Sequence, residues 1–532
     1  MSQSIPLSAF EQYPTHLASR PSLTNGHSTA ASSLRSLERF DDAHRAHLVD
    51  AVLSDLHDWN APPAAVNASQ LLREAATYAV VTGQQAGIAT GPLYTLYKAI
   101  GAIRAARDLQ LTNPDHRFVA VFWIEGDDHD FDEARKIGVI DRSATARVIA
   151  YDDGEARPLH VGDRTIAADA FKSFVDEMRE TIIETEFTPQ VLSILERAYQ
   201  SGDATMTSGF ARTIYSLLGD VPLVVISSRN VQLKRLATDV FAREALNPEV
   251  SYAALVARTE ALRVAGIITP ITPKVGWLFM THDGVRRALD VADDGYVLRE
   301  VGDRFTREEI VSIAQASPER LSPNVALRPI VQDAVLPTAV YLGGPSEVAY
   351  LDQLGDAYAT FGIEPPQFAA RPFVLLMEPK ARRVIDTAGV PLEELMREGF
   401  SAAARVVDAN VEREIDEAQQ NAMSGVIAAI SELDAITTRI DPTLEKTLAA
   451  TRTAVEKGME DFVKRLRAAL KRKSQTDIDR LESARELVLP GRHLQERMLN
   501  ALYYVDKYGL ERFQSALDGV ESRDGVLQVI EI

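Results

Sequence analysis

The sequence predicts an α/β chain: a parallel-sheet core, interrupted by two inserted segments and followed by a long helical C-terminal region. Three observations predict this. The run Phe118-Val119-Ala120-Val121-Phe122-Trp123-Ile124 shows no polar alternation and reads as a strand buried on both faces, the habit of parallel sheets. A second run, Tyr78-Ala79-Val80-Val81, passes through a glycine-rich loop into a helical pattern opened by Pro92, whose missing N–H costs nothing at a helix start. Past about residue 385 strand signals almost vanish, and apolar residues step by three or four.

The elements follow in order. Residues 1–150 form the first core segment, in which Leu93, Tyr97, Ile100 and Ile103 supply the buried stripe of a crossover helix. An inserted segment spans 151–205, with Phe171, Phe174, Met178, Ile182 and Ile183 at helical spacing. The second core segment, 206–250, holds the strand Val221 to Ile226, which ends in Ser227-Ser228-Arg229-Asn230. A second insertion, 251–320, alternates short strands such as Trp277-Leu278-Phe279-Met280 with turns like His282-Asp283-Gly284. The third core segment, 321–385, contains the strand Thr338 to Leu342, a Gly343-Gly344-Pro345 loop, and one further strand from Phe373 to Met377. Residues 386–532 read as an α-helical dimerisation domain. One helix carries Val407, Val411, Ile415, Ala418, Ala422, Val426, Ile430 and Leu433; Asp441-Pro442 caps a second, which carries Leu444, Leu448, Val455, Met459, Phe462, Leu466 and Leu470. Such an antiparallel hairpin, with apolar seams on a long arm, favours a homodimer. The tail Val526 to Ile530 is expected to add an edge strand.

A chain of 532 residues exceeds one ordinary core, so several domains are expected. The net charge of -19 argues against a nucleic-acid groove, and Lys471-Arg472-Lys473 reads as a solvated face. No apolar run reaches the eighteen residues of a membrane helix. Met1 to Arg20 lacks a basic start followed by an apolar core, so a cytoplasmic protein is expected. Cysteine is absent, which excludes disulfides, cysteinyl metal sites and thiol catalysis. A protein that handles a thiol substrate gains from this, since it offers no partner for mixed disulfides.

The chemistry gathers at strand ends, where ligands bind in open α/β sheets. Glu125, Asp127, Asp128 and Asp130, with His129, fall within six residues directly behind the apolar run. So much like charge needs a cation, a proton or a substrate amine. Asp127 or Asp128 is expected to hold an ammonium, with His129 or Glu125 accepting its proton. A solvated acidic turn and a hydrogen-bonded histidine are the bland alternatives. Mg²⁺, Mn²⁺ or Zn²⁺ would also suit Asp127-Asp128-His129-Asp130, so a metal-dependent hydrolase is the competing function, although no second His-rich segment supplies distant ligands.

Gly83, Gln84, Gln85, Thr90 and Gly91 read as an anion-receiving loop at a helix start, matching neither the Walker nor the dinucleotide pattern. On this reading Gly91→Val abolishes ligand binding with little loss of fold. Lys98 reads as a surface or ion-pair residue. Asn324, Arg328, Gln332 and Asp333 are expected to approach the same cleft with Gly344, Ser346, Glu347 and Tyr350, and Tyr94 and Trp123 to join them. Arg328 suits either a carboxylate clamp or an ion pair to the acidic loop. Further on, Leu489-Pro490-Gly491 breaks the helix pattern. Arg492, His493 and Arg497, with Asn500 and Tyr504, make a candidate second pocket for ADP or ATP, against the alternative of plain packing.

Several strings together carry a family resemblance: Thr82-Gly83-Gln84-Gln85 through Thr90-Gly91-Pro92-Leu93-Tyr94 and Tyr97-Lys98-Ala99; Phe122-Trp123-Ile124-Glu125-Gly126-Asp127-Asp128-His129-Asp130-Phe131-Asp132-Glu133; Arg328-Pro329 with Gln332-Asp333; Gly344-Pro345-Ser346-Glu347 with Ala349-Tyr350; and Leu494-Gln495-Glu496-Arg497. In this order, over nearly the whole chain, they resemble the cysteine ligase family of bacillithiol biosynthesis, the cysteine-adding enzymes. The resemblance implies a Rossmann-like core similar to class I aminoacyl-tRNA synthetases, two connecting-peptide insertions and a coiled-coil dimerisation domain. It implies a carbon–nitrogen ligase that joins cysteine to the amine of glucosaminyl malate, with ATP as cosubstrate activating the carboxyl, ADP as a ligand, Mg²⁺ as a companion ion and no resident metal. Two departures stand out. Thr90-Gly91-Pro92-Leu93 lacks the two histidines of the synthetase nucleotide motif, and Ser227-Ser228-Arg229 is a poor substitute for its lysine-rich loop.

Overall fold

In a computed structural model, residues 3–10, 39–397, 399–406, 409–523 and 525–532 are described. Val407 of the expected helical stripe, and most of the Met1–Arg20 segment read for an export signal, lie outside them. The described residues divide into two compact units, one of residues 1–378 with 488–532 and one of residues 379–487.

The first unit is built on a five-stranded, all-parallel sheet. Its strands are β1 (Thr77–Gln85), β2 (Arg117–Glu125), β3 (Leu223–Ser227), β4 (Thr338–Gly343) and β5 (Gln367–Ala370), in the spatial order β5-β4-β1-β2-β3. The apolar run of β2 is buried on both faces because β1 and β3 flank it and helices cover it; Val121, Phe122 and Ile124 are wholly buried. Helix α1 (Tyr94–Thr112) connects β1 to β2, α2 (Arg328–Val335) precedes β4, and α3 (Pro345–Gln353) follows it. From β1 the chain builds outward to β2 and β3, then crosses to β4 on the other side. The crevice between the carboxyl ends of β1 and β4 is therefore the topological switch point, where such sheets bind ligands.

The inserted segments take different forms. Between β2 and β3 lie a hairpin, Lys136–Ile140 with Ala146–Ala150, and the helices Ala168–Thr181 and Thr188–Tyr199, whose Phe171, Phe174 and Met178 are buried; Ile183, past the helix end, is exposed. Between β3 and β4 stands an antiparallel sheet that includes Leu278–His282, Val285–Ala292 and Leu321–Pro323. His282 pairs with Val285 across a two-residue turn in which Asp283 and Gly284 both have positive φ, as a tight hairpin requires.

Two outcomes depart from the sequence pattern. The chain returns to the first unit at Val488, so the C-terminal block over 386–532 is divided. Val526–Glu531 is also no edge strand: it lies between Gln3–Pro6, antiparallel, and Phe373–Met377, parallel. Phe373–Met377 thus belongs to this three-stranded sheet and not to the core sheet.

The second unit is helical. Ala409–Ile440 and Glu445–Val488 are joined by a turn in which the Asp441 carboxylate accepts from the Thr443 backbone N–H at 2.9 Å and Pro442 occupies the first position. Arg467 pairs with Asp416 across the two helices, which fixes them as an antiparallel hairpin. Ile436, Ile440, Phe462 and Leu466 remain exposed along it. Among the described residues no helix is long and apolar enough to cross a membrane.

Candidate active site

A cavity of about 370 Å³ opens at the switch point, lined from β1 by Gln84 and Gln85, from β2 by Trp123 and Glu125, and from the segments around β4 by Arg328, Tyr341 and Glu347. Gly83 admits no side chain here, because a Cβ would stand 2.6 Å from the Trp123 carbonyl oxygen of the neighbouring strand. Gly344 caps α3, Pro345 starts it, and the Glu347 carboxylate turns back to accept from the Gly344 N–H at 2.7 Å. That turn presents Glu347 to Lys98, which reaches from α1 with its Nζ 2.6 Å from Oε2. Lys98 also donates to the Gly83 carbonyl at 2.7 Å and the Gln84 Oε1 at 3.0 Å. All three of its donors are used within the protein. It is an ion-pair residue, buried and not at the surface. Lys98 and the Gly344 N–H hold the Glu347 carboxyl below its ordinary range despite burial.

Arg328 behaves differently. Its guanidinium donates to the Tyr350 hydroxyl at 2.5 Å and the Gln332 Oε1 at 3.4 Å, and it forms no ion pair among the described residues. Its charge is thus left for the cavity. Near it, Glu125 is held by the Asp127 N–H at 2.9 Å, the Ser228 hydroxyl at 3.2 Å and the Trp123 indole N–H at 3.4 Å. Burial, and then the Asp127 charge, push the Glu125 carboxyl up, while Arg328 pulls it back. An unpaired guanidinium and a carboxyl of raised proton affinity therefore share one pocket, a combination suited to clamping an anion and moving a proton.

Comparison with known proteins bears on what uses this arrangement. The family model described as "Bacillithiol biosynthesis BshC, N-terminal Rossmann-like domain" matches residues 20–372, and "Bacillithiol biosynthesis BshC, C-terminal coiled-coil domain" matches residues 374–532. The chain belongs to the BshC family. A relative from Chlorobaculum tepidum named "Putative cysteine ligase BshC" is 33% identical over 456 residues, which is 82% of this chain and 80% of that protein. One of the same name from Salinibacter ruber is 32% identical over 501 residues, 93% and 89% of the two. A solved chain described as a "putative arginyl t-RNA synthetase" from Campylobacter jejuni shares 12% identity, over 84% of this chain and 93% of that one, at a TM-score of 0.21. The Rossmann-like α/β core of the BshC family agrees with the parallel sheet observed here.

Of the residues singled out in the sequence, the switch-point cavity gathers Gly83, Gln84, Gln85, Tyr94, Trp123, Glu125, Asp128, Arg328, Gly344, Ser346, Glu347, Tyr350 and Arg497. Others do not fit the roles expected of them. Asp127 cannot receive an ammonium: Arg229 and Lys234 each reach its Oδ1 at 2.7 Å, and they hold it well below the usual carboxylate range although burial acts the other way. His129 stands outside the cavity. Its Nδ1 lies 3.1 Å from the Arg286 guanidinium, and since arginine only donates, this nitrogen accepts. Nothing supports the hydrolase alternative: among the described residues no three His, Asp or Glu side chains are grouped to hold a metal ion.

The glycine loop is no anion nest either. The N–H groups of Ala86, Gly87, Thr90 and Gly91 bond to backbone carbonyls, and that of Ala89 to the Tyr199 hydroxyl. Gly91 has φ +66 and ψ -143, so Gly91→Val carries a backbone penalty that the sequence pattern does not reveal. Asn324 Oδ1 accepts from the Ala326 and Leu327 N–H groups in the turn just before α2, and Gln332 and Asp333 are buried behind Arg328. Asn500 is wholly buried and clasps the carbonyls of Ala89 and Gly91 at 2.9 and 2.5 Å, while Tyr504 is buried against Phe513. Neither can reach an adenine, and Arg492 and His493 are exposed away from the cavity. Sequence reasoning named Ser228 and Arg229 only as a strand end and a poor substitute for a lysine-rich loop, and missed Lys234 altogether. Only β3 lying beside β2 brings them to the acidic turn.

Proposed function

We propose that this chain is a cytoplasmic carbon–nitrogen ligase that joins the carboxyl of cysteine to the amine of glucosaminyl malate as an amide, with ATP as cosubstrate and Mg²⁺ as its companion ion. The observation that carries the reading is Arg328, a guanidinium that lines the switch-point cavity and forms no ion pair with a protein carboxylate among the described residues. Its planar fork suits a malyl carboxylate, with Tyr350 and Gln332 setting its orientation. Glu125 stands beside it as the proton acceptor. A substrate ammonium loses one proton to become the nucleophilic amine and a second as the amide bond forms, and a carboxylate of raised proton affinity is a better base for this than an ordinary one. ATP supplies the activation of the carboxyl. The exposed apolar residues along the helical hairpin, Ile436, Ile440, Phe462 and Leu466 among them, support a homodimer built through that unit.

Arg328→Lys tests the clamp. The expected result is a rise of about tenfold or more in KM for glucosaminyl malate, with KM for cysteine and the melting temperature unchanged, because an ammonium cannot pair bidentately. Equal weakening of every substrate together with lost stability would make Arg328 a structural tie instead.

A further inference from the structure

Beside the switch-point cavity lies a second one of about 390 Å³, and Gln84, Gln85, Tyr94, Glu133 and Arg497 line both. The Tyr94 ring is common to both, with the Arg371 and Arg497 guanidinium carbons 5.3 and 5.9 Å from its centre. We propose that this second cavity is the subsite for a free α-amino acid with a small side chain, its carboxylate on Arg497 and its ammonium between Asp130 and Glu133. The proposal rests on the ligase reading above and names where the second substrate sits.

The charge inventory leads to a zwitterion. Asp132 is neutralised by Lys136 and by Arg135 at 3.1 Å. That leaves Arg497, Asp130 and Glu133, none of which forms an ion pair among the described residues. One unpaired cation facing two unpaired carboxylates repels a polyphosphate but complements an ammonium and a carboxylate on one small molecule. Glu133 is pushed up by burial and then by Asp130 and Asp128, so a cation beside it relieves a strain the site already carries. Pro92, Ile137, Val148 and Met498 supply an apolar lining, suited to a thiol or methyl-sized side chain.

A separate observation points the same way. Thr90 lines this cavity, is 1% exposed, and its hydroxyl has no hydrogen-bond partner among the described residues. It is also held at φ +71, next to Ala89 at +49, a conformation that β-branched residues avoid. Asn500 and Tyr199 keep the backbone there. Backbone strain of this kind, held in place by buried side chains, is kept where it shapes a binding surface.

Titration calorimetry on the full chain tests this, using L-cysteine, cysteamine (no carboxylate) and glucosaminyl malate as probes. Val148 is half exposed on its strand, so Val148→Trp fills the cavity without burying a misfit in the core. It is expected to weaken L-cysteine by about tenfold or more while glucosaminyl malate stays within about twofold. Arg497→Ala should bring L-cysteine down to the affinity of cysteamine and leave cysteamine unchanged. Wild-type cysteine affinity in Val148→Trp, or cysteine lost in Arg328→Lys instead, overturns the subsite and leaves the ligase reading standing. No amino-acid binding by the wild-type protein, with or without ATP and glucosaminyl malate, overturns both.

Discussion

Asp127→Asn probes the polar centre beneath the site. In the native protein Asp127 Oδ1 takes both the Lys234 ammonium and the Arg229 guanidinium at 2.7 Å, and the carboxylate and Lys234 are almost wholly buried. Removing its charge leaves Arg229 with Asp163 at 2.6 Å, but leaves Lys234 with only the Leu321 carbonyl at 2.8 Å and an amide oxygen. Breaking a buried pair from one side costs about 3–5 kcal/mol, and the low end applies because the amide still accepts a hydrogen bond. The first unit has roughly 420 residues. At about 2.1 cal/mol/K per residue its unfolding entropy is about 0.9 kcal/mol/K, so a loss of about 3 kcal/mol lowers Tm by about 3–4 °C. Scanning calorimetry at pH 7 reads this directly. The folded pKa of Asp127 is depressed, so its contribution is complete above the unfolded value near pH 4 and is lost as pH falls through the folded one. Wild type and variant should therefore converge only in strong acid. Lys234→Met added to Asp127→Asn should recover most of the loss. An unchanged Tm with a raised KM for one substrate would refute the reasoning, because it would make Asp127 a ligand group.

Other outcomes follow from the same structure. Glu125→Gln should cut turnover by about 10²–10⁴-fold and abolish the acid limb of the pH–rate profile, a limb that lies above the ordinary carboxylate range in wild type. Burial holds the Asp55 carboxyl up at about 7, so the native state keeps a proton that the unfolded chain releases near pH 4; stability should fall as pH rises between about 4 and 7, and Asp55→Asn should remove that slope in thermal unfolding. Replacing residues 379–487 by a flexible linker should give a folded monomer, and a dimer in sedimentation would place the interface elsewhere. Cutting the chain after Asp386 is a poorer test, because it also removes Val526–Glu531 from between its two partner strands.

Much of the fold was legible in the sequence. An apolar run without alternation, such as Phe118 to Ile124, has no stable place except between two strands and under two layers, and the loops behind such runs mark the ligand edge. That Arg328, Glu347 and Tyr350 would share one cleft was legible because they belong to polar segments flanking one of those strands. The tertiary structure decided which charges remained free. Asp127 and Glu125 sit two residues apart in one turn, yet β3 delivers Arg229 and Lys234 to the first and only Ser228 to the second. The same holds for the glycine loop, where the N–H groups of Gly87, Thr90 and Gly91 bond within the turn, that of Ala86 to the Glu125 carbonyl and that of Ala89 to the Tyr199 hydroxyl. Local pattern specifies where backbone and apolar surface must go. A charge is spent or left available by whichever distant residue the topology sets beside it, and that neighbour lies about a hundred residues away along the chain.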